Sequence, residues 1–275
     1  MRPARLGVVL VAHGSRDPRA SAATRALTRA VARARPDWEV HASYLDHSLP
    51  RPAQVLGGLT PSRAVLVPLL LTAAYHGRVD VPGEVAAARA AGVRLDVDVA
   101  EVLGPVSRLL LDALARRLPP SDVDAVVLAA AGTRDAAARA TVAEAAAALG
   151  ARLGLPSGVG YASAGGPTTG EAVARLRASG AARVGVAAYF LAPGLLYDVA
   201  VSSALDAGAV AVADPLCDAP ELVRLVESRV ETAADRRLIA AWAGASARRR
   251  EWTPRPVAAY AGIGLPYRGW RLTTR

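Results

Sequence analysis

The chain has 275 residues but a single cysteine, Cys217, and no lysine at all. One thiol excludes an internal disulfide, a cysteine-built zinc site and a self-contained iron–sulfur cluster. Aromatic residues make up only 4% although hydrophobic residues reach 52%. The core must therefore be filled by Ala, Val and Leu, which suits helices packed on sheets. Apolar stretches such as 64–74 fall short of the roughly 20 residues needed to cross a bilayer, and the N-terminus lacks the pattern of a secretory signal. A soluble, cytoplasmic protein with no membrane partner is the expectation.

Positive charge is present but unevenly placed. Residues 241–275 hold seven arginines against one acid, Glu251, and so carry +6 of the chain's +9. Basicity is thus mostly a property of the tail. Trp242, Trp252 and Trp270 are interleaved there, a combination that can suit nucleic acid or an anionic surface. A proline-containing extension lying on the body, or flexible, accounts for it equally well, and no nucleic-acid partner is expected.

The rest of the chain alternates β-branched apolar runs with Ala/Arg-rich stretches of helical period. Strands are expected at 6–11, 39–45, 64–71, 95–100, 125–130, 158–162, 183–191 and 209–213. Helices are expected at 19–34, 52–59, 81–91, 106–117, 136–153, 169–178, 195–207 and 220–240. This βα alternation implies parallel sheets in an α/β fold.

The two halves also match each other. VVLVAHGSRDPRA from Val8 resembles VVLAAAGTRDAAA from Val126, and YLDHSLPRPAQV from Tyr44 resembles YASAGGPTTGEAV from Tyr161. RAVLVPLLLTAAYHG from Arg63 resembles RVGVAAYFLAPGLLY from Arg183, and VAEVLGPVSRLLLDAL from Val99 resembles VADPLCDAPELVRLV from Val212. Four matches in one order indicate an internal duplication. The expected architecture is two tandem, doubly wound, four-stranded parallel-sheet domains at 1–120 and 121–240, followed by the basic tail at 241–275. An eight-stranded barrel is the competing arrangement.

In a doubly wound sheet, ligands bind where the strand order reverses, at the C-terminal ends of the strands. His13 follows the first strand and His76 the third, which makes them neighbours at that point. Two imidazoles converging on one crevice signal a metal site or acid–base chemistry. The second repeat acts as a control, since it places Ala131 opposite His13 and Leu196 opposite His76. It keeps Gly132-Thr133-Arg134-Asp135 opposite Gly14-Ser15-Arg16-Asp17. The retained part reads as a tight turn and a helix cap. The histidines, lost as a pair, read as chemistry.

AHGSRD after the first strand, YLDHSLP after the second and PLLLTAAYHGRVDVP after the third resemble the sirohydrochlorin chelatase family of siroheme and cobalamin biosynthesis. The resemblance covers about the first 230 residues, leaving the tail outside it. It implies ATP-independent insertion of a divalent metal, cobalt or ferrous iron with nickel as a further option, into the tetrapyrrole sirohydrochlorin. No cofactor is implied beyond the metal substrate. His13 would be proton acceptor and metal ligand, and His76 the second ligand. Asp46 stands where the family usually has Glu, so its shorter side chain would contact substrate or relay protons. Leu71, Thr72, Ala73, Ala74 and Tyr75 would line the macrocycle, and Arg16 and Arg78 would hold its carboxylates. Arg16, with Arg134 as its counterpart, could instead serve a structural ion pair. His41 reads as a surface or packing residue, and His47 as a weak candidate for substrate contact.

Two other readings stand beside this one. A histidine phosphatase also places His-Gly after its first strand, but it needs an arginine just before the histidine, where this chain has Ala12. A metal or tetrapyrrole carrier would use the same two histidines without turnover. The duplication makes a monomer plausible, with a homodimer as the alternative.

Overall fold

The computed structural model describes residues 5–72, 75–119 and 122–250, with side chains for all of these except 75–80 and 237–250. Sixteen elements alternate in the described residues. The first half holds β1 (Leu6–Ala12), α1 (Pro18–Ala34), β2 (Trp38–Tyr44), α2 (Pro52–Gly58), β3 (Arg63–Pro68), α3 (Tyr75–Ala90), β4 (Asp96–Val99) and α4 (Arg108–Arg117). The second holds β5 (Ala125–Ala130), α5 (Ala136–Leu153), β6 (Ser157–Tyr161), α6 (Thr169–Ala178), β7 (Val184–Tyr189), α7 (Leu195–Asp206), β8 (Ala211–Val212) and α8 (Pro220–Arg250).

All pairings are parallel, and the strands form two four-stranded sheets ordered β2-β1-β3-β4 and β6-β5-β7-β8. The barrel is thereby excluded. The order reverses between β1 and β3, and again between β5 and β7, as the duplication requires.

Strand periodicity decides where each face goes. In β1, Val9 and Val11 turn to a cluster with Leu56 of α2 and Val81 and Val85 of α3. Val8 and Leu10 turn to a larger cluster that also holds Val126 and Leu128 of β5, Leu149 of α5 and Val226 of α8. Ala125, Val127 and Ala129 of β5 face the opposite way, against Val173 of α6 and Ala200 and Ala204 of α7. One core thus runs between the sheets, and each sheet has a second core on its outer face. The two repeats consequently form one compact unit, Met1–Arg237. Buried Glu221 of α8 ties into it by a paired hydrogen bond from Arg116 of α4, at 2.9 and 2.8 Å. A second unit, Leu238–Arg275, includes the tail, most of which lies outside the described residues. No helix in the described residues is long and apolar enough to cross a membrane.

The main departure from the sequence reading is at α3. The proline at 82 suggests a helix start near 81, because proline favours the first turn. The helix instead begins at Tyr75 and runs through Pro82. Correspondingly, β3 stops at Pro68, three residues before its expected end. A proline inside a helix forfeits one ladder bond without forbidding the turns on either side.

Candidate functional site

The retained turn behaves as the duplication suggests. Asp17 caps α1 by accepting from the amide of Arg19 at 2.8 Å, and Asp135 caps α5 by accepting from the amide of Ala137 at 2.9 Å. Ser15 Oγ accepts from the amide of Asp17 at 3.1 Å, and Thr133 Oγ1 accepts from that of Asp135, also at 3.1 Å. Gly14 and Gly132 have φ of 93° and 96°, a conformation natural to glycine. Gly-Ser/Thr-Arg-Asp is therefore a fold element shared by both copies.

What the first copy adds is His13, exposed immediately after β1. Register places Ala12 beside Tyr44 of β2 and Val11 beside Pro68 of β3. The loops after all three strands thus gather at one edge of the sheet. The amide of Asp46 donates to the carbonyl of His13 at 2.8 Å, and that of Leu69 to the carbonyl of Val11 at 2.8 Å. Asp46 is exposed, and its carboxyl is held below the usual carboxylate range, chiefly by the backbone amide of His47. Nearby His47, Arg51 and His13 act in the same direction electrostatically. A carboxylate and an imidazole thus share one field at the strand-order reversal.

The other predicted residues fall as follows. α3 begins at Tyr75, so His76 belongs to its first turn, on the edge served by β3. The side chains of Tyr75, His76 and Arg78, and all of Ala73 and Ala74, lie outside the described residues. No group of three metal-binding side chains comes together among the described residues, a set that does not contain His76. Leu71 and Thr72 are half-buried, and Leu71 packs against the shared core. The carbonyl of Leu71 accepts from the hydroxyl of Tyr189 at 3.1 Å, tying the loop after β3 to the second repeat. Burial pushes the Tyr189 phenol far up, so it remains a donor. Arg16 is exposed and makes no ion pair among the described residues, and the same is true of Arg134. His41 pairs at the surface with Glu39 at 3.2 Å. His47, at φ 55°, lies 3.4 Å from the Asp46 carboxylate.

A cavity of about 160 Å³ adjoins His13. Its walls include Leu191, Ala192 and Cys217 of the second repeat, none of which was singled out from the sequence. The duplication held the signal. Aligning Val99 with Val212 puts Cys217 opposite Gly104, and aligning Arg63 with Arg183 puts Leu191 opposite Leu71.

No curated protein matches the chain. Among solved structures, it is similar to SirB from Bacillus subtilis with Fe3+, at 21% identity and TM-score 0.68, covering 85% of this chain and 97% of that one. It is also similar to the sirohydrochlorin chelatase SirB from Bacillus subtilis subspecies spizizenii in complex with cobalt, at 21% identity and TM-score 0.65, with 84% and 96% covered. A third likeness is to CbiX, described as the terminal enzyme for biosynthesis of siroheme in denitrifying bacteria, at 19% identity and TM-score 0.57, with 83% and 99% covered. These likenesses establish a chelatase-like fold. The profile of one family, CbiX, matches residues 7–120 and matches again over 125–233, once for each repeat. The chain, in both of its halves, belongs to the CbiX family.

Proposed function

We propose that this protein inserts a divalent metal, cobalt or ferrous iron, into sirohydrochlorin without nucleotide. The observation that carries the reading is the placement of His13, exposed at the strand-order reversal and joined through its backbone to Asp46, in a CbiX-family chain. Metallation exchanges two pyrrole N–H protons for M2+. The site must accept protons and hold the metal above the ring. Neutral imidazole does both, binding mid-row divalent ions and taking protons near neutral pH. His13 serves as base and ligand, and His76 as second ligand. Asp46, kept anionic by its surroundings, contacts the substrate or passes the proton outward. Arg16 and Arg78 face a substrate rich in carboxylates, which arginine pairs bidentately. The SirB structures with iron and cobalt make both metals reasonable substrates.

The test is anaerobic mixing of the protein, sirohydrochlorin and Co2+, Fe2+ or Ni2+, following the chlorin absorbance. Turnover beyond one equivalent is expected, at rates that rank the metals, with loss in His13→Ala. Stoichiometric loading that stops at one equivalent would favour a carrier. Unchanged turnover in His13→Ala would overturn the mechanism.

A further inference from the structure

The cavity beside His13 is built by both repeats. Helix α1 supplies Ala20, Ala23 and Leu27, and the second repeat supplies Leu191, Ala192 and Cys217. His13 is at once exposed to solvent and part of the cavity wall, so a ligand over the imidazole has direct access to this space. At about 160 Å³ it is well below the roughly 300–1,000 Å³ of pockets that enclose a whole organic ligand. It can take a substituent, not a macrocycle.

Three observations show that the second repeat shapes this space. First, the two copies differ at one wall position. In the first copy, a Cβ on Gly104 would lie 1.7 Å from the carbonyl oxygen of Leu71, so only glycine fits. In the second, Cys217 stands at that position with φ 44°, which is uncommon for a residue with a side chain. Its amide donates to the carbonyl of Leu191 at 3.0 Å, which fixes the wall. Second, the hydroxyl of Tyr189 reaches across to the carbonyl of Leu71, so the two duplicated loops are joined. Third, Arg19 of α1 pairs with Asp198 in the first turn of α7, which begins with Leu195 at 74% exposure. On the loop after β2, Leu49 is 72% exposed. Large apolar side chains thus stand open on loops of both repeats at this edge, where a flat apolar ring would cover them.

We propose that the cavity seats a peripheral substituent of the tetrapyrrole, with the second repeat serving as the wall that orients the ring over His13. This inference rests on the chelatase reading. It assigns the copy without histidines a part in substrate recognition and adds Leu191, Ala192 and Cys217 to the binding surface.

Cys217 is the only thiol in the chain, so its alkylation reports on this cavity alone. Burial raises its pKa, so labelling with iodoacetamide is run at about pH 9, where thiolate becomes available. Sirohydrochlorin without metal should slow labelling at least about tenfold by covering the thiol, whereas Co2+ alone should leave the rate unchanged. In parallel, Ala192→Trp fills the cavity. It should raise KM for sirohydrochlorin about tenfold with kcat little altered, the pattern of lost ground-state binding, while Co2+ binding to the tetrapyrrole-free protein is retained. Turnover without protection of Cys217, and with an unchanged KM in Ala192→Trp, would overturn the inference and leave the chelatase reading standing. Absence of both turnover and protection would overturn the two together. Protection without turnover would uphold the subsite and overturn only the catalytic reading.

Discussion

The amide of Asp46 donates to the carbonyl of His13 at 2.8 Å, and Gly14 lies between them so tightly that a Cβ there would come 1.8 Å from the Asp46 carbonyl oxygen. The base and the carboxylate are therefore held together by main chain, through a position where a side chain does not fit. The second copy preserves the turn with a different link, as Ser163 Oγ donates to the carbonyl of Ala131 at 2.6 Å.

Gly14→Ala should force the two loops apart. Added to the penalty of φ 93°, the clash is expected to cost about 1–3 kcal/mol of stability and most of the turnover. Gly132→Ala, with φ 96° and a Cβ 2.6 Å from the carbonyl oxygen of Ala164, should lower stability comparably while its folded fraction keeps full activity. Urea unfolding together with initial rates separates the two variants.

His13→Ala removes an exposed side chain, so the urea midpoint should move little. Turnover should fall by at least about 10²-fold, the usual scale for losing a positioned general base. His76→Ala should lower turnover as well and weaken Co2+ binding, read from the cobalt d–d spectrum.

Asp46 should matter for rate and not for the pH profile. Its folded-state carboxyl lies below the ordinary value, so the anion prevails above about pH 4, and protonation begins only as pH falls through that lowered value. Asp46→Asn is expected to reduce kcat across the neutral range without shifting any limb of the rate profile above about pH 5. A shifted limb would assign the titration to Asp46 itself.

Arg16→Gln and its counterpart Arg134→Gln provide a matched pair, since neither arginine makes an ion pair among the described residues. Arg16→Gln should raise KM for sirohydrochlorin roughly threefold to tenfold, consistent with the loss of one charge-assisted contact. Arg134→Gln should leave KM unchanged. Equal effects would mean that overall charge attracts the substrate, and low-salt kinetics would reveal it.

Tyr189→Phe deletes the hydroxyl that reaches Leu71. The expected cost is about 1 kcal/mol, together with an unpaired carbonyl. If the loop after β3 depends on that link, KM for the tetrapyrrole should rise while thermal unfolding stays cooperative.

Much of the fold was legible because its signals are local. Period-two burial wrote β1 and β5 into the sequence, and Asp17 and Asp135 marked the starts of α1 and α5. The pairing of His13 with the loop holding Asp46 followed from strand order, which the duplication supplied. Features that depend on residues more than 100 positions apart left no such trace. The close approach of Gly104 to Leu71 shows on inspection only as one glycine among many, and Tyr189 reads as a plain strand residue until its hydroxyl is seen on Leu71. Cys217 looked inert for a related reason: a sequence displays its solitude, whereas its proximity to the cavity beside His13 is made by tertiary packing. At α3, the rule that proline opens helices outweighed the capacity of a helix to pass through Pro82.

The core between the two sheets has a consequence for how the copies can diverge. Val8 and Leu10 are covered by a cluster that includes Val126, Leu128 and Val226, so neither half has an inner face able to meet water alone. A surface that two separate ancestral units would have shared as a contact is here enclosed within a single polypeptide. The second copy was therefore free to abandon its histidines but not its shape, because each methyl group lost from its inner face would open a void beneath the strand that carries His13.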